Sequence, residues 1–221
     1  MNIWIFSSGD HESNEYVDPY FIGSIKKKML KVSFIPTSNE EAPEYYDEFI
    51  DRIGLYCYAN FSLIDLEKGL SISEKEELFE SDLIYISGGN TFDLLHNLRK
   101  NNLIEELKNY AEEGGCLAGH SAGGIVLTEN INTAAFPPED CDSNDVGIEN
   151  YDSMSLVGFE FFPHYENLSF YKKPLQYYTK HLQKPLYAME DGGAIHIDIA
   201  GISFYGAITA FVKGKFVKIS E

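Results

Sequence analysis

A serine with glycine two positions to either side occurs once in a place where it can act: Gly119-His120-Ser121-Ala122-Gly123-Gly124, directly after the apolar run Cys116-Leu117-Ala118. A strand running into such a turn lifts a hydroxyl clear of the sheet end, and small neighbours are needed where backbone segments approach closely. In that geometry the Ala122 amide points toward an oxyanion at a helix N-terminus. The same residues also suit a plain glycine-rich turn with a capping serine, and five-residue matches of this kind arise by chance. Gly88-Gly89-Asn90-Thr91 ends a neighbouring apolar run, so Gly89 can supply a second oxyanion N–H, with Gly88, Asn90 and Thr91 beside the substrate. Its other reading is a β-to-α turn, with glycine for positive φ and Asn or Thr as helix cap.

An unassisted hydroxyl is a poor nucleophile, so Ser121 needs a base. The chain has six histidines. His120 adjoins the serine on a tight turn and should point elsewhere. His96 and His181 lie in polar helical stretches, His11 lies in a polar loop, and His196 alternates with Ile195 and Ile197 on a strand. His164 follows Pro163 just past an apolar strand, where proline restricts the backbone before it, and is the best placed of the six.

The elements that must hold these residues alternate short apolar runs with longer amphipathic ones, the pattern of βαβ units and a largely parallel sheet. Strands are expected at Leu30–Ile35, Phe61–Leu66, Asp82–Ser87 and Cys116–Ala118, with helices over 39–53, 92–98, 103–113 and 123–128. Ser73 and Glu76 form a capping box ahead of a short helix with Leu78 and Phe79. After an acidic loop from Pro137 to Asp152, strands follow at Leu156–Phe162, Tyr187–Met189, Ala194–Ile199, Ile202–Phe204 and Ala210–Val217. No repeat or linker divides the chain, so residues 1–221 are expected to form a single hydrolase domain.

Taken in order, Ile86-Ser87-Gly88-Gly89-Asn90-Thr91-Phe92, Gly119-His120-Ser121-Ala122-Gly123 and Phe162-Pro163-His164-Tyr165 resemble the serine peptidases of the dipeptidase E and cyanophycinase family. The resemblance implies an α/β fold, a mostly parallel sheet flanked by helices in the three-layer sandwich of the class I glutamine amidotransferases. It also implies a serine peptidase acting through an acyl-enzyme on a short peptide or small amide, with Ser121 as nucleophile and His164 as base. Gly89 and Ala122 would make the oxyanion hole, with no metal and no organic cofactor. The family's third member, an acid orienting the imidazole, is expected 20 to 25 residues before the histidine. Asp140 is the first choice and Asp142 the alternative, with Glu139, Asp145 and Glu149 nearby. If none of these serves, Glu190 or Asp191 in the Met189–Gly193 turn remains. The resemblance does not extend to aspartyl specificity, because Glu166–Lys173 has no arginine, and lysine lacks the bidentate fork that matches a carboxylate. The competing readings are a non-peptidase amidase or esterase, and a catalytically silent binding relative. The α/β-hydrolase fold is disfavoured, because Ser121 lies past the midpoint with few helical units after it.

The composition narrows the partners. Asp and Glu number 35 against 17 Lys and Arg, a formal charge of −18, so nucleic acid and anionic membranes are poor partners. Cys57, Cys116 and Cys141 have no metal-like spacing and read as free thiols. No stretch approaches the roughly 20 apolar residues of a membrane span, and the start has no basic leader, so a cytoplasmic monomer or homodimer is expected.

Overall fold

A computed structural model of the chain describes residues 1–38, 42–138, 141–166 and 169–220. Eleven strands are described in these segments: β1 (Asn2–Phe6), β2 (Met29–Ile35), β3 (Tyr58–Leu63), β4 (Leu83–Ile86), β5 (Cys116–His120), β6 (Glu160–Phe162), β7 (Leu186–Met189), β8 (Ala194–Asp198), β9 (Gly201–Tyr205), β10 (Ile208–Val212) and β11 (Lys215–Ser220). The helices are α1 (His11–Asn14), α2 (Asp18–Ile25), α3 (Ala42–Gly54), α4 (Ile72–Phe79), α5 (Thr91–Lys100), α6 (Leu103–Glu112), α7 (Ala122–Ile125) and α8 (Ser169–Tyr178).

A seven-stranded sheet runs in the order β3-β2-β4-β5-β1-β8-β9. Its first five strands are mutually parallel, and β8 and β9 continue it antiparallel. The two-residue period of a strand divides its core. Ile3, Ile5, Ile84, Ile86 and Leu117 face α5 and α6 through Leu94, Leu95, Leu98 and Leu107. Trp4, Phe6, Leu83, Tyr85 and Ala118 face α2 and α3 through Phe21, Phe49 and Ile53. With both faces covered, β4 and β5 are buried at every residue, which is why Leu83–Ile86 and residues 116–119 read as unbroken runs of apolar or small residues. This is the expected three-layer, mostly parallel α/β fold. A second sheet, β11-β10-β7-β6, packs Phe162, Leu186, Ala188 and Phe211 against Leu175 of α8.

Several local expectations move. The capping box is Ser71 with Glu74, not Ser73 with Glu76: Ser71 Oγ accepts the Glu74 N–H and Glu74 Oε2 accepts the Ser71 N–H. Both pairs have the same spacing, but Ser71 is the extended residue that precedes the helix. The strand expected at Phe61–Leu66 lies at Tyr58–Leu63, and only Glu160–Phe162 of the Leu156–Phe162 stretch is strand. Ala210–Val217 is not one strand but the β10–β11 hairpin, because Lys213 (φ 49°) and Gly214 (φ 76°) take the paired positive φ of a tight turn. His196 does not simply face out; its ring stacks on Trp4 with centroids 4.1 Å apart.

One interaction had no sequence signal. Arg52 of α3 is buried and forms a two-pronged pair with Asp18 of α2, through Nε at 2.9 Å and Nη2 at 2.5 Å. Its Nη1 donates to the Gly9 carbonyl at 2.7 Å, so the pair also anchors the loop after β1. Burial would strip a lone guanidinium of water, and Tyr85 and Asp18 keep it charged. Arg52→Ala leaves the Asp18 carboxylate buried and unpaired, so urea unfolding should show a loss of about 3–5 kcal/mol. An apolar pair, Arg52→Met with Asp18→Leu, should recover most of it.

Candidate active site

The parallel strands β1, β2, β4 and β5 deliver Ser7, Thr37, the Ser87–Gly89 turn and Ser121 to one edge of the sheet. Carboxyl ends of strands in open α/β sheets are where such folds form crevices. Ser121 links β5 to α7 at φ 49° and ψ −116°, a conformation L residues rarely adopt. Its N–H is held by the Phe6 carbonyl at 3.0 Å, and its own carbonyl accepts from Gly124 and Ile125. A Cβ on Gly123 would lie 2.2 Å from the Ile86 carbonyl oxygen, and one on Gly119 would lie 2.4 Å from the Gly123 carbonyl carbon. The turn therefore needs glycine at both positions.

The neighbouring turn is equally constrained. Gly89 has φ +121°, and a Cβ there would meet the Thr37 Cβ at 2.8 Å. The Thr37 hydroxyl donates to the Gly88 carbonyl at 2.6 Å, and the Gly88 N–H donates to His120 Nε2 at 2.9 Å. Among the described residues neither the Gly89 nor the Ala122 N–H has a protein acceptor, as donors awaiting an oxyanion would. Asn90 is committed elsewhere. Its Oδ1 accepts from Phe92 and Asp93 as the α5 cap, and its Nδ2 donates to Ser143. Thr91 lines the cavity beside Ser121 and gives its N–H to Asp142 Oδ2 at 2.8 Å.

His164 stands on the segment after β6 at φ 52°, with its N–H on Ser7 Oγ at 2.8 Å. Its Nε2 lies 3.0 Å from Ser121 Oγ and its Nδ1 lies 2.8 Å from Asp191 Oδ1. A carboxylate at Nδ1 fixes the proton on that nitrogen and leaves Nε2 to accept from the serine. The hydrogen bond from His164 holds the Asp191 carboxyl below its usual range, with burial pulling the other way and the Ser7 hydroxyl adding to the depression. Serine, imidazole and carboxylate thus form one continuous chain in which a proton can leave Ser121 for His164.

The carboxylate on the imidazole is Asp191, not the alternative Asp142 expected from the loop before the histidine. Asp140 and Glu139 lie outside the described residues. The Asp142 carboxylate accepts the Thr91 N–H at the start of α5 and is not the group on the imidazole. Asp191 instead occupies a turn between β7 and β8, closed by Gly193 N–H to the Glu190 carbonyl at 3.0 Å. Gly192 takes φ +83° there, and a Cβ on it would meet the Ser13 carbonyl oxygen at 2.7 Å. The Glu190-Asp191-Gly192-Gly193 turn signal was present in the sequence, but it falls after the histidine rather than before it.

Ser121 and His164 both line two cavities, of about 330 and 350 Å³. A larger cavity, about 780 Å³ beside Lys26, Lys27 and Lys28, is lined by none of these groups. Among the described residues no group of three or more His, Cys, Asp or Glu is placed to hold a metal.

The sequence profile of peptidase family S51 matches residues 3–204. The chain belongs to that family. An uncharacterized peptidase of Listeria monocytogenes is 30% identical over 172 residues, 75% of this chain and 81% of its own length. Peptidase E of Nostoc is 28% identical over 150 residues, 66% of this chain and 56% of that protein. A crystal structure of a protein provisionally described as peptidase E, also from Listeria monocytogenes, superposes with a TM-score of 0.75 at 26% identity, covering 93% of this chain and 98% of that one. Membership in family S51 makes the chain a serine-type peptidase or hydrolase. No helix among the described residues is long and apolar enough to cross a membrane.

His120, next to Ser121, is buried and is not placed to act as a second base. Burial first, then the Arg52 charge and His164, push its pKa down to about 3. Its Nε2 is occupied by Gly88, and its Nδ1 is buried with no partner among the described residues. The folded imidazole should stay neutral while the unfolded one takes up a proton near pH 6.5, so its contribution to stability falls as pH drops from about 6.5 toward 3. In NMR titrations of the folded protein the His120 ring signals should not move between pH 8 and 5. A midpoint near 6.5 would refute the buried neutral ring.

Proposed function

We propose that the protein hydrolyses short peptides through an ester formed on Ser121. The observation carrying this reading is the hydrogen-bonded chain Ser121 Oγ, His164 and Asp191 at 3.0 and 2.8 Å, beside two backbone amides with no acceptor among the described residues. Ser121 Oγ attacks the scissile carbonyl carbon as His164 Nε2 takes the hydroxyl proton. The oxygen left with negative charge is bound by the Gly89 and Ala122 N–H groups. The carbon–nitrogen bond breaks as His164 returns the proton to the departing amine. Water, deprotonated by the same imidazole, then attacks the ester and regenerates Ser121. Asp191 holds the Nδ1 tautomer and stabilises the imidazolium at both steps.

Charge around Ser121 bears on the substrate. Asp10 and Glu48 line the smaller cavity, Asp142 lines the other, and no lysine or arginine is among the described lining residues of either. Burial works against the Asp10 anion, but the Ser13 N–H and the Ser13 and Ser8 hydroxyls hold its carboxyl below the ordinary range. Lys172, in the segment where an arginine would read an aspartyl side chain, has its Nζ 4.5 Å above the Phe216 ring. We infer a preference for peptides whose side chain beside the scissile bond is neutral or basic.

Ser121→Ala should remove hydrolysis while leaving the circular dichroism spectrum unchanged, and wild-type turnover in that variant would sink the mechanism. Asp191→Asn should lower kcat about ten-thousand-fold, as loss of the orienting acid does elsewhere, whereas Asp142→Asn should leave turnover near wild type. Equal losses in the two variants would return the assignment of the acid to the loop. For specificity, kcat/KM across a dipeptide library should rank aspartyl and glutamyl substrates below neutral and basic ones. The opposite ranking would overturn the preference.

A further inference from the structure

Ser7 is the last described group at this sheet edge that touches both the base and the acid. It is fully buried just after β1, and its N–H is fixed on the Gly193 carbonyl at 3.1 Å. Its Oγ accepts the His164 backbone N–H at 2.8 Å. The single hydroxyl proton has two acceptors at equal distance, Asp191 Oδ1 and the Met189 carbonyl, both at 3.0 Å. Oδ1 is also the oxygen that takes the His164 Nδ1 proton.

A serine at a strand end could serve only to satisfy backbone groups. Two features go beyond that. The hydroxyl shares Oδ1 with the imidazole, so it limits rotation of the carboxylate away from Nδ1. A charged acceptor also forms a stronger hydrogen bond than a neutral carbonyl, so the proton favours Asp191 over Met189 when imidazolium and carboxylate face each other. At the other end of the site, the same oxygen pins the backbone of His164, a non-glycine residue held at φ 52°.

We propose that Ser7 is a positioning residue for hydrolysis, a fourth member that fixes the His164 backbone and the Asp191 carboxylate with one buried hydroxyl. The proposal rests on reading Ser121, His164 and Asp191 as the reacting set. It assigns Ser7 no contact with substrate, so Ser7 should act on turnover and not on binding.

The test is steady-state kinetics on Ser7→Ala, alone and combined with Asp191→Asn. Ser7→Ala should lower kcat about 10- to 100-fold, the scale on which outer partners of an active-site group act, with KM within about twofold. In the Asp191→Asn background the same substitution should cost less than about threefold, because residues acting through one another are not additive. A folded Ser7→Ala protein with wild-type kcat, or an undiminished loss without Asp191, overturns the proposal. Should Ser7→Ala not fold, Ser7→Cys keeps the volume with a weaker donor. A reduced kcat at unchanged KM supports the role, and a wild-type kcat overturns it. Ser121→Ala, run alongside, separates the two readings. If it is inactive and Ser7→Ala is unimpaired, only the Ser7 role falls, whereas an active Ser121→Ala removes the reacting set itself.

Discussion

The site depends on how closely backbone approaches backbone at the carboxyl ends of β4 and β5. The turn carrying Ser121 presses so near Ile86 and Ser87 that Gly123 has no room for a Cβ, and its N–H bonds directly to the Ser87 carbonyl. That contact holds Ser121 in a backbone conformation that costs on the order of 1–3 kcal/mol. It also sets Ala122 at the start of α7, and it brings the Gly88–Gly89 turn alongside. The Thr37 hydroxyl on one side and the His120 ring on the other fill the space left by missing side chains. Loosening this contact would move Ser121, both candidate oxyanion donors and the lining of two cavities together.

Ser121 and His164 were legible because each stands at a strand end marked by local chemistry, glycines around one and Pro163 before the other. The order of layers followed from alternating apolar runs, since strands buried on both faces have few polar residues. Asp191 was legible as a turn residue and as a fallback partner of His164, but nothing local ranked it above the acidic loop. What brings it there is the pairing of β6 with β7 and of β8 with β1, which no local pattern records. The acidic loop drew the assignment because it offers many carboxylates at a plausible spacing. In the structure one of them, Asp142, is engaged at the start of α5. The Asp18–Arg52 pair was invisible for a similar reason: each residue sits on an amphipathic helix where charge ordinarily means solvent, and only the packing of α2 beside α3 turns both inward.

The charge of −18 also takes on a local meaning. Carboxylates line both cavities at Ser121, while the deeply buried cation nearest the site, Arg52, is spent on Asp18 and the Gly9 carbonyl. The guanidinium thus supports the loop that carries Asp10 without presenting its charge to a ligand.

The position of β1 has a consequence for synthesis. The strand lies inside the finished sheet between partners that both come later in the chain, with Ile3 aligned to Leu117 on one side and Ile197 on the other. Until β8 has been made, Ile3, Trp4, Ile5 and Phe6 have an unpaired edge, and at about 5–20 residues per second that interval lasts roughly 10–40 s. A nascent chain in that state presents a sticky apolar ribbon to any neighbouring strand. A strand made well before both of its partners waits longest to be enclosed, so holding it apart from other chains falls to the translating ribosome and its attendant chaperones.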